Sequence, residues 1–451
     1  MYLPNHVSST LLFEELGNRL SIAFSLLLIS IAIVPVLVIL NGLVAQSLVA
    51  ALAAAALAFV GISAREADVN FAAQVTRRLK PAAAVPAIWM VIQILPIPFS
   101  EMSHSIWINA NEALSQRSWG HISVDIGTTL EALAFYLANV SLIVVGVFAA
   151  KDRRRAELTL LALTAITTLT TIALLISRWG LIAGLAASEV NEILGAISSL
   201  GIILSLATGV RAVELYESRR AEPTRPAQNT QVALAVCGAG LLVCIAGLAA
   251  SATLNVALTV AFAAITFGSV QAIRRLGVAS WAAGIFIATM ITAAAMIILW
   301  RYDSVRTLSP FLQFAAAASP DAISVARRIL SDTGWLGTGA ATYAPLLPIY
   351  QELGSSVTKA PSTASAFAIE LGWPMAVFTI AVTIGLIAKL YRGALVRGRD
   401  SFYPAAAAAC AIIVLGQAFC DTSLLHSCVA VVGDAVIGLG LAQSVSRGDS
   451  P

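Results

Sequence analysis

Long apolar runs separated by short polar stretches set the pattern of the chain. They fall near residues 20–40, 43–63, 81–97, 128–150, 156–176, 192–211, 232–250, 253–273, 278–300, 363–388, 402–420 and 427–446. A helix needs ~20 consecutive apolar residues to cross a hydrocarbon core, and most of these runs meet that length. None shows the polar–apolar alternation of a barrel strand. In lipid every backbone N–H and C=O must be paired within the chain, so continuous apolar runs predict helices. The run at 81–97 is short and holds Pro81, Pro86 and Pro96. The expected fold is an all-α polytopic membrane protein of about twelve transmembrane helices with a large, partly helical periplasmic loop. Residues 1–300 would carry nine helices and 301–362 the loop, with three more helices and a cytoplasmic tail in 363–451. No internal repeat stands out, and the small residues Gly433, Gly438 and Gly440 fit close helix packing.

Composition agrees: 59% of residues are hydrophobic, 11% are charged, and mean hydropathy is +0.87. A soluble domain is nearer a quarter charged. A net charge of +3 is too small to point to nucleic acid. The placement of the cations is more informative. Twenty of the 27 Lys and Arg fall in one set of alternate loops, with Arg77, Arg78, Lys151, Arg153, Arg211, Arg274, Lys389 and Arg397 among them. The other seven are Arg117, Arg178, Arg301, Arg306, Arg327, Arg328 and Lys359. Positive residues are retained on the cytoplasmic side, so both ends of the chain are expected there. The N-terminal stretch is polar and shows no cleavable-signal pattern.

This topology puts two sizeable segments outside, about 98–127 and 301–362. A connection as long as the second calls for a function. Its first half reads as a helix, with Ser319 as cap and Pro320 at the first position. The adjacent Arg327 and Arg328 precede a glycine turn. Guanidinium groups pair bidentately with phosphate, and Gly337 and Gly339 would let backbone N–H groups approach an anion. The alternative is that these cations sit at headgroup level against lipid phosphate. The acids Glu131, Glu189, Glu192, Glu370, Asp421 and Asp434 lie in or near apolar runs. Glu189, Glu192 and Asp421 are expected in water at span ends. Glu131 and Asp434, being deeper, would pair within the bundle or form a proton path. The five Cys read as small buried thiols, and neither they nor the four His show metal-ligand spacing, so no metal and no cofactor is expected.

The segment RRILSDTGWLGTGAATYAPLLPIYQELG, followed by APSTASAFAIELGWPMAVF, resembles the large outer loop of the O-antigen ligase and O-antigen polymerase family. That loop has an Arg-containing helix, a Gly-x-Gly turn closed by an aromatic residue, a Pro-x-Tyr and a helix ending in Glu-Leu-Gly. The matching positions here are Arg327 or Arg328, then Gly337, Gly339 and Tyr343, then Pro348 and Tyr350, and finally Glu370, Leu371 and Gly372. WMVIQILPIP, HISVDIGTTLEAL and CDTSLLHSCVAVVGDAVIGLGLAQS are similar to the exopolysaccharide-associated branch, which extends the likeness over about 85–445.

The resemblance implies a metal-independent glycosyltransferase of the bacterial inner membrane, acting at the periplasmic face on glycans carried by undecaprenyl pyrophosphate. It would polymerise them or transfer them to an acceptor. Its partners would be lipid-linked oligosaccharide or polysaccharide, membrane lipids and other polysaccharide-assembly proteins. Arg327 and Arg328 would stabilise the departing pyrophosphate. Arg178, Arg301, Gly337, Gly339 and Lys359 would help hold the substrate, and Tyr343 and Tyr350 would pack or stack on sugar. One departure stands out. Where family members carry an acceptor-activating His, this chain has Pro361, and no His occurs between 122 and 425. Three explanations follow: Arg-driven departure without a strong base, a base from another outer residue such as His104, His121, His426, Asp421 or Glu352, or a non-catalytic assembly factor. A secondary transporter or flippase of lipid-linked sugars, with Glu131 and Asp434 as coupling acids, is a different class with the same layout.

Overall fold

The structure is a computed structural model and describes residues 22–40, 42–97, 103–115, 119–178, 187–220, 228–251, 254–276, 310–315, 318–352, 357–398 and 400–445. The first half contains α1 (Ile22–Ala32), α2 (Val34–Ile39), α3 (Leu43–Ser63), α4 (Glu66–Thr76), α5 (Leu79–Ile94), α6 (Ser105–Leu114) and α7 (Ile126–Ala149). Then come α8 (Arg153–Ser177), α9 (Ala187–Arg220), α10 (Gln228–Ser251) and α11 (Leu254–Leu276). The remainder is α12 (Pro320–Asp332), α13 (Tyr343–Tyr350), α14 (Thr363–Glu370), α15 (Trp373–Val396), α16 (Phe402–Cys420) and α17 (Ser427–Ala442). Among the described residues there is no strand, only a single antiparallel bridge between Ile97 and Gly120.

Eight of these helices are long and apolar enough to cross a membrane, and the chain is a multi-pass membrane protein. Three shorter apolar helices, α1, α5 and α17, fall on three more of the expected runs. The run expected at 278–300 lies outside the described residues. Helices α10 and α15 keep apolar side chains such as Val232, Val236, Leu242, Val377 and Ile384 exposed, as a lipid-facing surface requires. Helix α9 is buried around most of its circumference over its apolar part and runs through the middle, packed by α8, α10 and α16.

Small residues set the closest approaches. Gly146 of α7 and Gly438 of α17 meet backbone to backbone: a Cβ on Gly438 would lie 2.8 Å from the Ile143 carbonyl. Gly440 packs against the Ala407 methyl, which a Cβ would approach to 2.1 Å. Gly433 has only an ordinary contact at 3.9 Å, with Val414, so the packing does not require a glycine there. Buried hydroxyls along α8 and α9 bond to carbonyls one turn back, as Thr164, Thr167 and Thr208 do, and Thr164 also meets Thr208 across the interface at 2.8 Å.

One element boundary differs from the sequence expectation. The run 363–388 is not a single span. It breaks at Gly372, whose φ is +84°, into α14 and α15. Ala366 and Ile369 of α14 belong to a hydrophobic core with α12 and α13, separate from the core of the bundle. The membrane-length helix therefore starts at Trp373, and α14 belongs to the loop.

Loops assigned to alternate faces by charge gather at opposite ends. At the basic end, Lys151 pairs with Asp68 at 2.6 Å and Arg153 with Asp400 at 2.9 Å. Arg211 pairs with Glu157, and Arg274 donates to the Ser401 hydroxyl. At the other end α6, α12, α13 and α14 form a cap, referred to below as the loop end.

Candidate functional site

The cap is built on a buried corner. Residues 370–372 turn sharply between α14 and α15, and the glycine turn docks onto them. The Gly339 N–H donates to the Glu370 carbonyl at 2.9 Å, and the Thr338 N–H is shared between the Ile369 and Glu370 carbonyls, 3.1 Å from each. The Gly337 N–H donates to the Gly334 carbonyl at 3.3 Å. Gly337 and Gly339 have φ of +78° and +105°, and a Cβ on Gly337 would lie 2.3 Å from the Glu370 carbonyl oxygen. These N–H groups are used within the chain. The expectation that they cradle a substrate anion is therefore corrected: the glycines let two backbones touch.

Two residues missed by sequence reasoning complete the corner. Gln93 of α5 is fully buried, and its Nε2 donates to the Leu336 and Glu370 carbonyls at 3.0 Å each. The Trp89 indole N–H donates to the Leu371 carbonyl at 2.9 Å. Val124 joins the same assembly, its N–H donating to the Thr338 carbonyl at 2.8 Å. The only sequence signal for Gln93 was an amide inside an apolar run, and its partners are more than 240 residues away.

Glu370 is buried beneath this turn, and its Oε1 accepts the Tyr343 N–H at 3.2 Å. Burial pushes its carboxyl up to about 7, opposed by the N–H groups of Ala341 and Tyr343. Tyr343 itself is buried in the cap core, and burial raises its hydroxyl. A buried ring offers no face to a sugar, so of the two roles expected for Tyr343 the geometry supports packing. Tyr350 is half-buried against the same core, and burial, with the Asp332 carboxylate as a further cause, raises its hydroxyl.

The expected cations separate into distinct settings. Arg327 and Arg328 are both exposed on α12. Arg328 pairs with Glu352 at 2.6 Å, whereas Arg327 has no ion-pair partner among the described residues. Lys359 pairs with Glu192 at 2.5 Å, so its charge is already compensated. Arg178 caps the end of α8 and donates to the Ala250 carbonyl of α10, joining two helix ends. Arg301 lies outside the described residues.

Around Lys359 the structure gathers a polar cluster. Glu192 also accepts from the Thr422 hydroxyl at 2.8 Å. Asp421, one residue earlier, is buried and accepts from the Ser423 N–H at 2.9 Å and its hydroxyl at 2.5 Å. Burial is the main cause of its rise to about 6. The Asp421 carbonyl accepts both the N–H and the hydroxyl of Thr363. Neither acid stands free in water at a span end, which corrects that expectation: both stitch the loop to the bundle. His426 starts α17 beside Glu192, Glu189 and Lys359, and burial lowers it. Pro361 is buried between Lys359 and the cap of α14, beside this cluster.

His104 and His121 make structural contacts at the loop end. His104 caps α6 by accepting the Ile106 N–H at 3.3 Å. His121 donates to the Ile94 carbonyl at 2.7 Å and packs on Trp107. Glu131 is exposed in the second turn of α7 and is not deep in the bundle. Asp434 lies midway along α17, and its buried Oδ2 has no hydrogen-bond partner among the described residues. No group of three or more His, Cys, Asp or Glu able to hold a metal occurs among the described residues. No protein-family model matches the chain, and no curated protein matches it.

Proposed function

We propose that the chain is an inner-membrane glycosyltransferase-like protein of exopolysaccharide or O-antigen assembly, working at the loop end on glycan linked to undecaprenyl pyrophosphate. The observation that carries this reading is the convergence of the motif parts. The Arg-bearing α12, the Gly-x-Gly turn and the Glu-Leu-Gly corner pack into one unit with its own core, joined by hydrogen bonds from Thr338, Gly339 and Tyr343 to residues 369–370. Arg327 is the pyrophosphate ligand in this proposal, because Arg328 and Lys359 already face carboxylates. Its guanidinium would neutralise charge developing on the leaving group. The basic end faces the cytoplasm and the loop end the periplasm.

Polysaccharide profiles test the reading. A deletion strain is complemented with wild-type protein, with Arg327→Ala or with Arg327→Ala/Arg328→Ala. Long polymer should return with wild-type protein alone, at equal membrane levels of all three. Equal restoration by the double variant would remove the Arg pair from the reaction. A second reading, a non-catalytic assembly factor, is favoured by Pro361 at the position of the family His. It requires that the purified protein bind lipid-linked glycan without turning it over.

A further inference from the structure

At the basic end, away from the cap, a groove of about 470 Å³ lies between α9, α10 and α11. Its walls are mainly apolar, with Leu206, Val210, Leu234 and Leu241 among them. Three polar groups interrupt the walls. Ser205 is 2% exposed, and its hydroxyl has no hydrogen-bond partner among the described residues. Nearby Ser198, Ser199 and Thr208 of the same helix all bond back to its carbonyls. Gln271 Nε2 is likewise buried and without a partner. An amide or hydroxyl left so in an apolar setting is costly, which argues for a ligand that pairs with it. The third group is Arg275, exposed at the rim in the last turn of α11, with no ion-pair partner among the described residues.

The spacing of these groups is informative. Arg275 and Gln271 are four residues apart on one helix face, so the amide lies about 6 Å deeper along the helix than the cation. Ser205 lies deeper still along α9, eight residues from Val213 at the mouth. A cation at the rim, two donors below it and an apolar channel follow the plan of a glycerophospholipid: phosphate, ester carbonyls, acyl chain. Gly209 and Gly238 line the groove, and a Cβ on either would meet nothing within 4 Å, so the space beside them is open.

We propose that this groove binds one anionic glycerophospholipid of the leaflet at the basic end. Its phosphate pairs with Arg275, its ester carbonyls accept from Gln271 Nε2 and the Ser205 hydroxyl, and one acyl chain lies along α9 and α10. Basic pockets between transmembrane helices favour anionic headgroups. A polyprenyl phosphate has no ester carbonyls and would leave both donors unpaired, so the glycerolipid is the better occupant.

The test is native mass spectrometry of the full chain in detergent, titrated with phosphatidylglycerol, phosphatidylcholine or a polyprenyl phosphate. One phosphatidylglycerol should be retained about fivefold more tightly than phosphatidylcholine, the difference one surface arginine makes. Arg275→Ala should abolish that preference, and Gln271→Leu should weaken both glycerolipids. Gly238→Leu projects into open space and should block retention while the protein stays monodisperse on size exclusion. Unchanged retention in Gly238→Leu, or equal binding of both headgroups by the wild-type chain, would overturn the proposal. So would tighter binding of polyprenyl phosphate that ignores Gln271→Leu.

Discussion

Gly372 and Glu370 sit two residues apart, and each makes a demand that a single substitution can test. A Cβ at Gly372 would lie 2.1 Å from the Trp335 carbonyl, on a backbone with φ of +84°. Left-handed backbone costs an L-residue ~1–2 kcal/mol, and overpacking adds ~1–3 kcal/mol. Gly372→Ala should therefore lower the apparent melting temperature of the purified protein clearly. Gly334→Ala should not, because nothing lies within 4 Å of a Cβ there. Glu370 makes a pH-dependent demand. Its folded carboxyl is raised from 4.5 to about 7 by burial, so the folded chain holds this proton longer than the unfolded one. The stability it supports is full below about pH 4.5 and is lost as pH rises to about 7. Glu370→Gln keeps an acceptor for the Tyr343 N–H and should flatten that part of the melting profile between pH 4.5 and 8. Parallel profiles for the two proteins would refute the assignment. These residues also mark a limit of sequence reading. Gly337 and Gly339 stood out correctly as conformationally special, but a sequence does not tell whether a backbone N–H points at an anion or at a carbonyl of its own chain. The Gly337 N–H turns back on the Gly334 carbonyl, and the Gly339 N–H meets the carbonyl of residue 370, about thirty positions away, which only tertiary structure brings in.

At the scale of elements, apolar run length carried most of the information, since the membrane-length helices fall on the runs. The exception is instructive. Residues 363–370 are apolar enough to read as the start of the span that follows, and Gly372 within a long run is weak punctuation. What divides them is packing: Ala366 and Ile369 find partners in α12 and α13, giving α14 a core outside the bundle. The capping box at Ser362 and Ser365 marks the start of this short helix. Helix pairing was legible in part. Of the glycines Gly433, Gly438 and Gly440, two are in contacts too close for a larger residue. Gly438→Leu should push α17 off α7, because a Cβ there already meets the Ile143 carbonyl and the Gly146 Cα at 3.0 Å or less. Folded yield in detergent should fall sharply. Gly433→Ala, with its nearest contact at 3.9 Å, should express and melt like the parent. Equal behaviour of the two variants would mean that α7 and α17 do not touch through these glycines.

For the whole molecule, the division of charge and the division of contacts coincide. Loops rich in Arg and Lys meet one another at one end through Lys151–Asp68, Arg153–Asp400 and Arg211–Glu157. The loops poor in cations meet at the other through Lys359–Glu192 and the cap. Such sorting follows if the helices cross in strict alternation, since one misplaced crossing would send a basic loop to the wrong end. Contacts alone leave open which end faces the cytoplasm, and the positive-inside tendency supplies that direction. Site-directed labelling turns it into a measurement. Cys244, Cys410, Cys420 and Cys428 are buried and Cys237 is half-buried, so background from native thiols should be low toward a membrane-impermeant maleimide. Asp321 is exposed on the cap and Arg154 is exposed at the basic end. Asp321→Cys should label in intact cells whose outer membrane admits the reagent, and Arg154→Cys only after lysis. The reverse pattern would invert the molecule and put Arg327 in the cytoplasm, where no periplasmic glycan could reach it. Labelling of both from one side would mean that the two ends do not lie on opposite faces of a membrane at all.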